Sequence, residues 1–291
     1  MRPLQRAYAS LRGLTLGDAF GERYFGQPGD AWHRIKMRYL SEAPWNWTDD
    51  TAMALSIYRS LRDYGRIDQE ELALFFAAEH RIEPARGYGR GAHEILTAIS
   101  AGRGWRQPAA ELFGEGSCGN GAAMRVAPLG AYFADDLEKV VSESRLSAEV
   151  THAHPDGIAG ALAVALAAAF VLRDLSGEAL LSEVFHRVPE GATRQGIHCA
   201  LNLRADTPLD TVVKTIGNGK EVLASDTVPY VLWCTAHYGG DLREALWRTV
   251  EGLGDRDTTC AMVGGILGAA RPFPEDWWAY CEPIPFGPPA P

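Results

Sequence analysis

"WNWTDDTAMALSIYRSL", residues 45–61, sets two adjacent carboxylates, Asp49 and Asp50, between Thr48 and Thr51, directly before an apolar pattern of helical period that runs from Ala52 to Tyr64. Asp and Thr are strong N-cap and first-turn residues, because their oxygens satisfy the free N–H groups of a helix start and the charge complements its dipole. The same period recurs over 4–16, 70–80, 92–100, 159–172, 227–237, 241–252 and 258–270. Alternating strand patterns are scarce; "DTVVKTI" (210–216) is the best, and it fits a helix equally well. The chain is therefore expected to be all-α.

A second stretch matches the first. In "GDRDTTCAMVGGILGA" (254–269), Asp255 and Asp257 flank Arg256, and Thr258 opens another apolar helix. A cap needs one side-chain oxygen, whereas these two helix starts supply four carboxylates and several hydroxyls. If they meet in space, they form a cage of oxygens whose mutual repulsion calls for protons or cations. Oxygen ligation suits hard ions such as Mg²⁺, Mn²⁺ or Ca²⁺ and disfavours zinc. Two divalent ions would nearly balance the four charges.

The rest of the chain narrows the classes. Its 291 residues are 46% hydrophobic, which suits one large domain. Twenty-eight Lys and Arg stand against 37 Asp and Glu, a net charge of -9 with no basic run, which argues against generic binding to nucleic-acid backbone. Five scattered cysteines without a C-x-x-C pair argue for a reducing cytoplasmic setting and against a thiolate zinc site. The N-terminus has no continuous apolar stretch of the signal-peptide kind. The longest apolar run, "IAGALAVALAAAFVL" (158–172), is short of the roughly 18 to 20 residues that a membrane span needs, so a buried helix is expected and no membrane partner. Glycines cluster at the joints between helical patterns, where backbone can approach a ligand closely. The final "RPFPEDWWAYCEPIPFGPPAP" carries seven of the 17 prolines. It is expected to lie extended on the surface as a tail, residues 271–291, of a domain spanning 1–270.

Seven motifs stand in an order that resembles the ADP-ribosylglycohydrolase family: "GLTLGDAFG", "WTDDTAMAL", "RGYGRGA", "GSCGNGAAMRVAPLG", "THAHPDGIAGALAVALA", "GNGKEVLASDTVPYVLW" and "GDRDTTCAMVGGILGA". The resemblance implies a compact helical fold with a binuclear Mg²⁺ or Mn²⁺ cleft, and a hydrolase that removes ADP-ribose from a modified acceptor at C1″ of the distal ribose. It implies Thr48, Asp49 and Asp50 as one set of metal ligands, and Asp255, Asp257 and Thr258 as the other. It further implies an ADP-ribose cradle from Ser117, Gly119, Asn120, Gly121, Met124 and Arg125, a second ligand-facing loop at Gly87 and Gly89, and His152 near ribose and phosphates. Physically, a glycine-rich junction before a helix presents N–H groups to a diphosphate without any basic patch. Read alone, "GNG" is an ordinary turn and His152 an ordinary buried histidine.

One departure concerns catalysis. Much of the family carries a glutamate four residues after the second glycine of the first motif, and counting from Gly21 gives Phe25. The nearby acid is Glu22. Either Glu22 takes over, or Asp50 or Asp257 handles the proton with metal-bound water, or the chain binds ADP-ribose without cleaving it. A metal phosphoesterase acting on the diphosphate is a further alternative. The acceptor expected is a protein side chain or a nucleobase.

Overall fold

A computed structural model of the chain describes residues 1–26 and 28–290. Among these residues there are sixteen α-helices and no β-strand, only two isolated bridges. The expected helices are present, and the ambiguous "DTVVKTI" lies in the Leu209–Ile216 helix. Its apolar residues Val212 and Ile216 are buried on one face, one turn apart.

The fold is organised by two helices that run antiparallel in close contact, Pro3–Glu22 and Arg256–Leu267. Gly13, Gly17 and Gly21 repeat every fourth residue on the first, and Gly264 faces them from the second. A Cβ placed on Gly13 would stand 2.2 Å from the Gly264 carbonyl oxygen, one on Gly17 2.0 Å from that of Cys260, and one on Gly21 2.2 Å from that of Arg256. Only bare backbone allows this approach. Its result is to bring Asp18, near the C-terminal end of its helix, level with the start of the Arg256–Leu267 helix.

The Pro155–Val171 helix is buried along nearly its whole length, as its unbroken apolar character predicts. It packs against the Ala127–Tyr132, Leu137–Glu149 and Ala224–Tyr238 helices. No described helix is long and apolar enough to cross a membrane.

The proline-rich C-terminal segment is not simply extended. Residues Glu275–Trp278 form a helical turn, and Trp277 is 4% exposed. Its ring stacks on Phe20 at 5.2 Å and meets Trp45 and Trp247 at 6.1 and 6.0 Å. The three aromatic residues of "DWWAY", Trp277, Trp278 and Tyr280, carry more apolar surface than the flanking prolines can hold away from the domain, which draws this turn inward. Beyond it, Cys281 bridges to Trp45.

Candidate metal centre and ligand cleft

The Asp49–Tyr64 helix begins at the expected carboxylates and ends at Gly65, which is left-handed at φ 67° and donates its N–H to the Leu61 carbonyl. Asp50 is 1% exposed and Asp49 is also buried. Across the cleft, Asp257 and Thr258 lie in the first turn of the Arg256–Leu267 helix, with Asp255 just before it. The two helix starts do meet: the Thr258 hydroxyl lies 3.4 Å from Asp50 Oδ2. One carboxylate oxygen each from Asp18, Asp50 and Asp257 lies within 4.8 Å of the others.

Asp18 stands inside the first motif, "GLTLGDAFG", and is a member of the cluster that the sequence reading does not include. It is fully buried and accepts from four donors: Thr48 N–H at 3.1 and 3.0 Å, Thr48 Oγ1 at 2.9 Å, Thr51 N–H at 3.1 Å and Thr51 Oγ1 at 2.5 Å. A carboxylate has about four lone-pair sites, so these contacts use nearly all of its capacity. Asp18 is close enough to share a cation, but its bonds suit it better to holding Thr48 and Thr51 in place. The signal that could have found it is an acid framed by Gly17 and Gly21, where the helix must be buried for the glycines to have any purpose.

The electrostatics of the cluster are those of crowded acids. Burial pushes Asp18 up to about 6, against the hydrogen bonds that favour its charge. Burial, then the charge of Asp18, raises Asp49 to about 7. Asp50 and Asp257 lie well above the carboxylate range, again through burial first and neighbouring aspartates second. Asp255 is raised less, because Asn120 Nδ2 donates to it at 2.7 Å. Asp50 Oδ1 is buried without any hydrogen-bond partner. A buried acceptor left open among like charges fits a hard cation, and the donor set of carboxylate and hydroxyl oxygens fits Mg²⁺ or Mn²⁺.

A cavity of about 640 Å³ opens from this cluster. Its wall includes the expected cradle residues Ser117, Gly119, Asn120, Gly121, Met124 and Arg125, and also Gly87, Gly89 and His152. The cradle is pinned by an antiparallel bridge, in which Asn120 N–H donates to the Val222 carbonyl and Ala224 N–H to that of Cys118, each at 3.0 Å. Asn120 thereby joins the cradle to Asp255. Gly121 lies close under the His152 ring, where a Cβ would stand 3.1 Å from it and press the ring to shift. Gly87, at φ 97°, would bring a Cβ to 3.3 Å from Asp49 Oδ1.

His152 is buried, its Nδ1 lies 2.7 Å from Thr151 Oγ1, and burial followed by the Arg125 charge pushes it down to about 3. It is therefore a neutral imidazole. Arg125 is 1% exposed; its guanidinium donates to the Ser147 carbonyl and Thr151 Oγ1 and lies 4.3 Å over the Phe76 ring. That places its charge beneath the cradle, committed to internal partners. His154 caps the Pro155–Val171 helix by accepting from Asp156 N–H at 3.1 Å.

A second cleft, of about 610 Å³, also borders the cluster and is lined by Glu22, Trp47, Arg86 and Glu282 among others. Gly87 and Asp257 border both cavities. Glu22 is partly buried, and burial with the Asp18 charge raises its carboxyl above the usual range. Phe25 is 41% exposed, with the Arg256 guanidinium 4.8 Å over its ring. Trp45 is a core residue, and the Tyr88 ring is buried against His80.

The chain is similar to known proteins along nearly its whole length. A family model described as ADP-ribosylglycohydrolase matches residues 1–286. Human ADP-ribosylhydrolase ARH3 is 29% identical, over 97% of this chain and 90% of its own. An uncharacterized protein of Archaeoglobus fulgidus is 30% identical, over 92% and 88%. The ADP-ribosyl-[dinitrogen reductase] glycohydrolase of Rhodospirillum rubrum is 26% identical, over 91% and 85%. A solved structure titled "ADP-ribosylglycohydrolase-related protein complex" superposes with a TM-score of 0.68 at 24% identity, covering 97% of this chain and 93% of that one, a likeness of fold.

Proposed function

Since the chain belongs to the ADP-ribosylglycohydrolase family, we propose that it is a metal-dependent hydrolase that removes ADP-ribose from a modified acceptor by cleaving the bond at C1″ of the distal ribose. The observation that carries this reading is the meeting of two cavities at the aspartate cluster, with Asp257 and Gly87 common to both. A glycosidic bond cleaved there has ADP-ribose on the cradle side and its acceptor on the Glu22 side.

Thr48, Asp49 and Asp50 would hold one divalent cation, and Asp255, Asp257 and Thr258 the other, with Asp18 fixing the Thr48 end. Bound there, Mg²⁺ or Mn²⁺ supplies a template for the ribose hydroxyls and lowers the pKa of a coordinated water. The chain's own groups do the rest. The glycine N–H groups of the cradle meet the diphosphate, which needs no lysine or arginine. Neutral His152 offers hydrogen bonding without drawing the phosphates away from the cradle. Glycoside cleavage proceeds through an oxocarbenium-like centre and needs a proton for the leaving group and a base for water. Glu22 faces the acceptor side, and its raised pKa suits a proton donor. Asp50 and Asp257 are the alternatives for taking the proton from water. A reducing cytoplasmic location belongs to the same reading and rests on five scattered cysteines without a C-x-x-C pair.

The test is a panel of defined ADP-ribosyl linkages, arginine, serine and nucleobase among them, incubated with and without chelator and analysed by mass spectrometry. Intact ADP-ribose released from at least one linkage, and abolished by chelator, is the expected result. AMP as product would replace this reading by diphosphate cleavage. Tight ADP-ribose binding with no turnover on any linkage would reduce the chain to a binding protein.

A further inference from the structure

The segment carrying Thr48 and Asp49 is held on its outer side by a residue from the far end of the chain. Glu282 receives a bidentate pair from Arg86, with Nη1 and Nη2 each 2.6 Å from a carboxylate oxygen. The same guanidinium donates from Nη1 to the Trp47 carbonyl at 2.9 Å and lies 3.6 Å over the Trp47 ring. The Arg86 carbonyl in turn accepts from Asp49 N–H at 2.8 Å. The tail is itself tied to this segment, since Trp45 N–H donates to the Tyr280 carbonyl at 2.7 Å and Glu282 N–H to the Trp45 carbonyl at 2.9 Å. Residues 45–49 are thus gripped at Trp45, Trp47 and Asp49 by Arg86 and the 280–282 segment, while Asp18 holds Thr48 between them. Two carboxylates orient the Arg86 fork: Glu83 meets its Nε edge, and Glu282 meets its Nη1 and Nη2 end from the docked tail.

We propose that Glu282 is a positioning residue for the cation site: acting through Arg86, it holds the Trp47–Asp49 backbone where Thr48, Asp49 and Asp50 converge as oxygen ligands. This rests on the proposed function, and it makes the C-terminal segment a structural part of the metal half-site. Groups that orient ligands from behind in this way contribute about 10- to 100-fold to metal affinity.

The test uses the full-length chain and Mn²⁺ itself, titrated by the loss of the free-ion EPR signal, for wild type, Glu282→Gln and Glu83→Gln. Glu83 also pairs with Arg86, through Nε, but makes no link to the tail. Its loss therefore removes the same charge from the same guanidinium while leaving the 280–282 segment engaged. Glu282→Gln is expected to weaken Mn²⁺ about 10-fold while melting in chelator within a few degrees of wild type, and Glu83→Gln to weaken it far less. Equal weakening in both variants means that charge alone is responsible and overturns the positioning role, as does a Glu282→Gln protein with wild-type affinity. A wild-type chain that binds no Mn²⁺ overturns the metal-dependent function together with this inference, so the two failures are told apart.

Discussion

Asp50 is the carboxylate with most to lose from ionisation: it is buried, has one unpartnered oxygen, and faces Asp18, Asp257, Asp49 and Asp255. Without a cation the folded chain keeps protons on this cluster that the unfolded chain, with aspartates near about 3.9, gives up. The folded state then binds more protons, so stability falls as pH rises from about that value through the folded values of about 6 for Asp18 and about 7 for Asp49. In chelator, the melting temperature is expected to drop between about pH 5 and pH 8. Added Mn²⁺ should flatten or reverse the drop, because cation binding takes the place of the protons. A chelated protein whose melting temperature rises over that range contradicts the crowded-acid description. Glu22 belongs to the same scale. Glu22→Gln keeps the shape and removes the exchangeable proton, so turnover should fall about 10²- to 10⁴-fold with Mn²⁺ affinity little changed. Unchanged turnover would assign proton transfer to Asp50 or Asp257.

Among the elements, the pair Pro3–Glu22 and Arg256–Leu267 decides whether the residues above meet at all. Gly17→Ala would force a methyl to 2.0 Å from the Cys260 carbonyl, a backbone atom that has no side-chain rotation to offer as relief. The helices must separate, at a cost of about 1 to 3 kcal/mol or more, and Asp18 moves away from Asp257 with them. The expected outcome is a lower denaturation midpoint together with weaker Mn²⁺ binding. Loss of one without the other would show that helix separation and cation geometry are not linked. Helix positions themselves were legible, because each helix carries its own 3.6-residue period, and even "DTVVKTI" resolved once Val212 and Ile216 found one buried face. The glycine repeat in "GLTLGDAFG" was visible, but its purpose was not, since nothing in one helix says which partner lies against it.

Over the whole molecule, the C-terminal segment is the element whose role differs most from its composition. Seven prolines read as a surface wrap, yet Trp277 closes an aromatic cluster with Phe20, Trp45 and Trp247. Trp277→Ala should cost about 3 to 5 kcal/mol, as for other buried aromatic truncations, read as a lower midpoint in a single denaturation transition. A small loss, or a separate early transition, would mean that the tail docks on an already complete domain.

The sequence by itself determined the helices, the two acidic helix starts, the glycine-rich junctions between helices and the lack of any run of basic residues, because each of these is a local pattern of period, cap chemistry or charge. Tertiary structure alone decided that the acidic starts face each other and that Asp18 braces Thr48. It also decided that both clefts border Asp257, and that Glu282 reaches Arg86 across 196 residues of chain. Those relations depend on how closely two backbones can approach and on which buried surfaces find each other. The approach is set by atoms missing from the glycines, and the pairing by apolar faces that look alike until they are packed.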